Sequence, residues 1–492
     1  MKISPSFPIF ALAALTVAIP RLPGAPAPTR PNVLFIAIDD LRNDLGAEGV
    51  PYAKTPNLDR LAASGRLFTN QYAVVPTCGA SRCSLMRGRY PEQPAQVTNE
   101  ATLKTHDAWA AQGMPAWFRA HGYQTLSLGK ITHYPGNLTG KDWAVGPEEL
   151  PGAWDRAWIP ESLWKNAESI MHGFANGRPR VAGKSPPWEA FDGPDNAYPD
   201  YWVAGDAVNT LRTLAHADQP WFFAVGFFKP HLPFAAPKRW FDLHAGDDIP
   251  PPAVTARPPE PSSWHPSNEF RKNYGHANGR DPDTDPDYAR ELRHAYVAAT
   301  SYVDAQVGKV LDELHALGLD DHTIVVAWGD HGFLLGEHDI WGKHTLYENA
   351  LRAPLIVRPP GLAQPGVPSR ALAETVDIFP TLLDLCGLPA PGEFDGRSLR
   401  AQLADPAAPT TKPARGFWNA GERTIRTERW RLIDHPATKQ RAGGVELFDM
   451  VADPHESHSV AATEPAVVRQ LRAQLEQVPN PFGAKAGAGE KE

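Results

Sequence analysis

Val33-Leu34-Phe35-Ile36-Ala37-Ile38-Asp39-Asp40 decides the architecture: an unbroken apolar run that empties into two carboxylates. A strand with one face in water alternates apolar and polar residues, whereas an uninterrupted run belongs to a strand covered on both faces, as in a parallel sheet wrapped by helices. Three later runs end in the same manner. Residues 125–128 lead into Gly129-Lys130 with His133 close behind, residues 221–227 into Lys229-Pro230-His231, and residues 323–328 into Asp330-His331. Amphipathic segments separate them. Asn57 is expected to cap a short helix through Leu58, Leu61 and Ala62 that stops at Gly65, and residues 116–120 form another. Val303, Val307, Val310 and Leu314 recur at helical spacing, which predicts a long helix over about residues 288–317. The expected fold is α/β: a large, mostly parallel sheet flanked by helices, spanning residues 31–400.

Composition narrows the function. With 42% hydrophobic and 21% charged residues among 492, the chain is neither disordered nor fibrous. Its 48 basic and 56 acidic residues leave a formal charge of -8, so no basic footprint for nucleic acid is visible. Only 3 cysteines exclude a disulfide framework, and Cys83 and Cys386 read as core thiols. Residues 1–30 read as a signal peptide and leader, with Lys2 ahead of the apolar residues 7–19 and a small-x-small site at Ala25 and Ala27. This predicts a secreted or periplasmic protein, and no later segment suits a membrane anchor.

Two stretches break the α/β rhythm. Residues 134–201 carry Trp143, Trp154, Trp158, Trp164 and Trp188 among Gly and Pro, and residues 246–287 are proline-rich. The tryptophans are either flat faces for sugar rings or packed covers. An Ala/Pro-rich linker near residues 401–414 precedes short strands over residues 424–433 and 445–449 and a helix over residues 464–478. That makes residues 401–492 a smaller C-terminal α+β subdomain with a small antiparallel sheet, polar from Asn480 onward.

In open α/β sheets ligands collect outside the carboxyl ends of the strands, where all four polar groups converge if the strands are parallel neighbours. Asp39, Asp40 and Asp330 supply hard oxygens suited to Ca²⁺ or Mg²⁺. His331 suits Zn²⁺, Mn²⁺ or Fe²⁺ better, so spacing leaves the metal open, as it does a role for His331 as a donor to substrate. Between the first two of these strands lies Val75-Pro76-Thr77-Cys78-Gly79-Ala80-Ser81-Arg82-Cys83-Ser84-Leu85-Met86-Arg87-Gly88-Arg89. A lone cysteine is commonly a small buried residue. Here Cys78 precedes an expected helix whose amides favour an anion, with Arg82 about one turn later on the same face.

Cys78-Gly79-Ala80-Ser81-Arg82, with Leu85 and Gly88-Arg89, resembles the type I sulfatase signature C-x-[PA]-x-R-x-x-L-x-T-G-R. Five further blocks match the family in order: Asp39-Asp40-Leu41-Arg42, Thr55-Pro56-Asn57-Leu58-Asp59-Arg60-Leu61-Ala62, Gly129-Lys130-Ile131-Thr132-His133, Lys229-Pro230-His231-Leu232-Pro233-Phe234, and Gly329-Asp330-His331-Gly332 through Gly336-Glu337-His338 to Lys343. The blocks are most similar to the iduronate-2-sulfatase branch, which shares His331 where many relatives carry Asn. Ala80 replaces the commoner Pro, and Arg87 stands where Thr is usual.

The resemblance implies an alkaline-phosphatase-like fold and hydrolysis of a sulfate ester, with Cys78 converted to formylglycine by a maturation enzyme. It implies that one Ca²⁺ per chain is held by Asp39, Asp40, Cys78, Asp330 and His331. Arg82 and Lys130 would orient the formylglycine, and His133 would take the proton from its second hydroxyl. His231 and Lys343 would contact the sulfate, with His231 protonating the leaving alkoxide, two roles open to exchange. Lys229, Glu337 and His338 would brace the site. The implied substrate is a 2-O-sulfated uronate in a glycosaminoglycan or similar sulfated saccharide. Alternatives are a sulfatase for another substrate, such as an aryl, choline or other sugar sulfate, a phosphoesterase of the same superfamily, and a sulfated-glycan-binding protein without turnover.

Overall fold

Side chains of a strand point alternately to its two faces, so a strand that is apolar throughout needs an apolar layer on each side. In the computed structural model, which describes residues 30–139, 146–256, 264, 265, 267, 269–276 and 279–483, the strand Asn32–Ile38 (β1) has both. Leu34, Ile36 and Ile38 face one core; Val33, Phe35 and Ala37 face another. The first is closed by helices Pro56–Ser64 (α1), Pro199–Leu214 (α4) and Pro286–Ala316 (α5), the second by Cys78–Arg87 (α2), Met114–Ala120 (α3) and Ile378–Cys386 (α6).

The remaining strands of this sheet are Arg66–Tyr72 (β2), Gln124–Gly129 (β3), Arg156–Trp158 (β4), Trp221–Phe227 (β5), Thr323–Gly329 (β6), Leu355–Arg358 (β7) and Ser369–Glu374 (β8). The eight strands lie in the order β8-β2-β7-β6-β1-β5-β3-β4. Only β7 runs antiparallel to its neighbours, β2 and β6. The four strands expected to feed the site are adjacent and parallel, and their ends are level: Ile38 pairs with Phe227 and Gly329, and Gly129 with Gly226. One rim therefore receives Asp39, Lys130, Lys229 and Asp330.

The structure departs from the local expectations at several points. Helix α1 begins at Pro56 with Thr55 at its N-cap, so Asn57 does not cap it. Instead the Asn57 backbone and side-chain amides both donate to Asp304 of α5, at 3.1 and 2.8 Å, and tie α1 to the long helix. Cys78 is the first residue of α2 rather than a residue before it. Trp154 and Trp164 are buried in the two cores, Trp158 stacks on Phe223, and Trp188 packs against Phe241, so these four are structural covers rather than sugar platforms. Trp143, residues 1–29 of the expected leader and residues 484–492 lie outside the described residues. No helix among the described residues is long and apolar enough to cross a membrane.

The expected linker opens with a helical turn, Arg400–Ala404, and residues 424–433 divide into two strands rather than one. The C-terminal sheet is an antiparallel meander of Ala414–Phe417 (β9), Arg423–Arg426 (β10), Trp430–His435 (β11) and Gly444–Asp449 (β12), backed by helix Pro465–Leu475 (α7). Ile433, Phe448 and Met450 join Tyr72, Leu346 and Leu351 in one apolar cluster, and the Phe417 amide donates to Val74 O at 2.8 Å. The C-terminal sheet is thus packed next to the segment that leads into α2.

Candidate active site

Each functional group reaches the rim through a local backbone device. Gly129 has φ of +79°, and a Cβ there would lie 2.1 Å from Gly226 O. Only glycine lets the chain turn at this point and carry Lys130 inward. Asp40 also takes the left-handed conformation, with φ of 58°, and its amide donates to Asp330 Oδ1 at 3.0 Å. At the start of α2 the Asn99 side-chain carbonyl accepts from the Gly79 amide at 3.0 Å and meets Thr77 Oγ1 at 2.9 Å. An outside residue thereby replaces the missing N-cap bond of Thr77 and fixes Cys78 over the rim.

Three buried carboxylates face three buried cations. Asp39 accepts from Arg82 at 3.0 Å and from Lys130 at 2.6 Å; Asp330 accepts from Arg82 Nε at 2.9 Å. Lys343 Nζ sits 2.7 and 2.9 Å from the two Asp40 oxygens and 3.4 Å from Cys78 Sγ. Arg82 also donates to the carbonyls of Lys130 and Ile131, so one guanidinium joins α2 to the ends of β1, β3 and β6. His331 Nδ1 faces Gly332 O at 2.8 Å, which orients the ring and places Nε2 3.2 Å from Cys78 Sγ and 3.4 Å from Asp40.

The predicted ligand residues are therefore together. One acceptor atom from each of Asp39, Asp40, Cys78 and His231 lies within 4.8 Å of the others, and Cys78, Asp330 and His331 form an overlapping set. The donor set fits a divalent cation: carboxylate oxygens dominate, an imidazole nitrogen faces the same point, and a backbone carbonyl orients that imidazole.

Burial, aided by Asp39 and opposed by Lys130 and Lys343, pushes the Cys78 thiol well above its ordinary range, so an unmodified Cys78 is a neutral thiol and a weak nucleophile. Burial and then Lys130 hold His133 well below the ordinary imidazole value, and its Nδ1 is buried without a hydrogen-bond partner. His231 is likewise held neutral, by burial and then Lys343, with Nδ1 2.7 Å from Leu232 O. Its Nε2 therefore presents a lone pair. Lys343 is held protonated: burial opposes its charge, but Asp40, Cys78, Glu269 and Asp39 together outweigh it.

Lys229 turns away from the rim, donating to the carbonyls of His231 at 3.1 Å and Pro233 at 2.7 Å, and so braces the His231 loop. Glu337 accepts from Arg42 at 3.0 Å and from the Leu335 amide at 2.5 Å, while His338 stacks on Tyr347 outside the rim. Four residues beside the rim carried no sequence signal strong enough to find them. The His172 ring lies 5.0 Å from that of His231, Tyr274 Oη is 3.4 Å from His172 Nδ1, Glu269 lies 3.7 Å from Lys343 Nζ, and His344 Nε2 is 3.3 Å from Thr77 Oγ1. Only His344, next to Lys343, had a motif beside it.

The sheet order and this rim define an α/β fold of the alkaline-phosphatase-like class, carrying a C-terminal subdomain. The chain belongs to the sulfatase family, whose profile matches residues 31–388; a second profile, N-sulphoglucosamine sulphohydrolase, C-terminal, matches residues 336–480. It is 30% identical to a sulfatase of Formosa agariphila over 87% of this chain and 82% of that one. It is 32% identical to iduronate 2-sulfatase of Homo sapiens over 76% of this chain and 72% of that one. Among solved structures, the phosphonate monoester hydrolase of Agrobacterium radiobacter superposes with a TM-score of 0.71 at 24% identity, covering 91% of this chain and 95% of the other. The enzyme class is accordingly that of a sulfuric ester hydrolase.

Proposed function

We propose that the chain removes the 2-O-sulfate of iduronate or a related uronate in a glycosaminoglycan or similar sulfated polysaccharide. The observation that carries the reading is Cys78 at the first turn of α2, its sulfur within reach of Lys343 and His331 at a rim of three wholly buried carboxylates. The 32% identity to a human iduronate 2-sulfatase supports the choice of sugar.

Asp39, Asp40, Asp330, His331 and residue 78 would hold one Ca²⁺, which supplies Lewis acidity at the nucleophile and the sulfate oxygens. Formylglycine made from Cys78 would supply, as its hydrate, a nucleophilic hydroxyl and a second, ionisable hydroxyl. The residues around it do the rest. Arg82 fixes Asp39 and Asp330, and Lys130 neutralises Asp39 beside the nucleophile. His133, neutral and with a free Nδ1, takes the proton of the second hydroxyl. His231 and Lys343 contact the sulfate and its bridging oxygen, with His231 as donor to the leaving alkoxide, two roles open to exchange. A formylglycine-generating enzyme as partner, an exported mature chain and a catalytic domain over residues 31–400 belong to the same proposal.

The test uses protein from a host with the maturation system. Peptide mass spectrometry should show residue 78 lighter than cysteine by about 18 Da, the exchange of SH and H for O. Position-specific sulfated disaccharides should release sulfate from the 2-O position, and Asp39→Ala should abolish release while leaving the chain folded. An unmodified Cys78 from the native host would sink the enzyme reading. Release from 6-O or N-sulfated sugars alone would move the substrate, and phosphonate or phosphate ester turnover alone would replace the reaction.

A further inference from the structure

A second set of metal-binding atoms converges away from the rim. His265 Nε2 and His435 Nε2 lie 2.8 and 2.7 Å from the same Glu446 oxygen, and the three ligand atoms lie within 4.8 Å of one another. All three residues are buried, and they come from different parts of the chain: His265 from the proline-rich insertion, His435 from the end of β11, Glu446 from β12.

The outer atoms of the cluster are already engaged. His435 Nδ1 is 2.9 Å from Glu422, which also pairs with Arg441 at 2.6 Å; His265 Nδ1 is 2.7 Å from Thr345 Oγ1; Tyr347 Oη donates to the other Glu446 oxygen at 3.2 Å. With the Nδ1 atoms directed to Glu422 and Thr345, both Nε2 atoms converge on one carboxylate oxygen, a geometry that either protons on the rings or a single cation can hold together. Trp264 stacks on His435 at 4.4 Å and Tyr347 on His265 at 4.1 Å, which fixes both ring planes.

We propose that His265, His435 and Glu446 form a structural site for a borderline first-row divalent ion, Zn²⁺ by preference, that clamps the insertion to the C-terminal sheet. Two imidazoles and a carboxylate, one imidazole backed by a second carboxylate, make a zinc-type donor set quite unlike the oxygen-rich rim. Zinc–nitrogen bonds of about 2.0–2.1 Å require the ligand atoms to spread by roughly half an ångström, with water in the fourth position. Thr345 and Tyr347 follow Lys343 closely in the chain, so the ion would also steady the segment that carries it. The rival use of the same atoms is a proton-shared latch with no metal.

The experiment counts metal on the full-length protein, stripped with chelator, exposed to Zn²⁺ in excess Ca²⁺ and dialysed. Wild type and Asp39→Ala are each expected to retain one zinc per chain at this site, and His265→Gln and Glu446→Gln to lose it while their circular dichroism stays native. Co²⁺ loaded into wild type should give the intense visible absorption of a tetrahedral site, a reading independent of any variant's folding. Failure of wild type to retain zinc, or equal retention by His265→Gln and Glu446→Gln, overturns the proposal without touching the sulfatase reading.

Discussion

At the residue scale, Arg82 and His133 separate stability from chemistry. Arg82 is wholly buried between Asp39 and Asp330, and each carboxylate is as buried as the guanidinium. Arg82→Ala leaves Asp330 without its charge partner and should cost about 3–5 kcal/mol, read as a lower urea midpoint. His133 makes no side-chain hydrogen bond through its buried Nδ1, so His133→Ala should change the stability by less than about 1 kcal/mol while sulfate release falls by roughly 10²–10⁴-fold. If Arg82→Ala unfolds no more readily than His133→Ala, the charge balance described for the rim is wrong. Arg87, the departure from the signature, donates to Tyr90 O at 3.1 Å and pairs with Glu92 at the far end of α2 from Cys78. It bears on the helix end rather than on the rim.

At the element scale, the strand ends were legible because their residues have no other stable place: runs such as residues 33–38 and 221–227 must be covered on both faces. The cap of α1 was not legible. Asn57 has the chemistry of a cap, but its partner, Asp304, is 247 residues away and is known only once α5 is packed. The tryptophans of residues 154–188 were ambiguous for the same reason, since an aromatic ring serves a core or a sugar equally well until its neighbours are known. The turn after β3 is the sharpest test of how an element positions a group. Gly129→Ala places a methyl 2.1 Å from a backbone oxygen of β5 at a positive φ. The expected outcome is loss of sulfate release with a thermal midpoint lowered by several degrees, because Lys130 must shift; unchanged activity would show that the turn has slack.

At the scale of the whole molecule, the C-terminal sheet is held to the catalytic sheet by buried charge as well as by apolar packing. Arg431 of β11 reaches Glu348 at 2.5 Å and Glu456 at 2.7 Å, and Tyr72 Oη of β2 donates to Glu348 at 2.9 Å. Burial alone would raise the Glu348 carboxyl, but Arg431, then Arg426 and Arg352, hold it down at about 2. A depressed carboxylate stabilises the fold fully above its ordinary value near 4.5 and loses that contribution as pH falls toward 2. The thermal midpoint should therefore fall as pH drops below about 4.5, the share due to Glu348 being of order a few kcal/mol, and Glu348→Gln should flatten that acid limb. An identical pH profile for the variant would assign the acid sensitivity elsewhere.

The sequence by itself determined the parallel α/β core, the four polar strand ends and the residues at the rim, because buried runs, strand ends and the cysteine–arginine spacing are local in the chain. Only the tertiary structure decided which nitrogen of His331 faces Cys78, that His231 is held neutral beside a protonated Lys343, that Glu269 approaches Lys343 and His172 approaches His231, and that His265 meets His435 and Glu446. Those facts depend on distances between segments far apart in sequence, and on desolvation that exists only when the layers close.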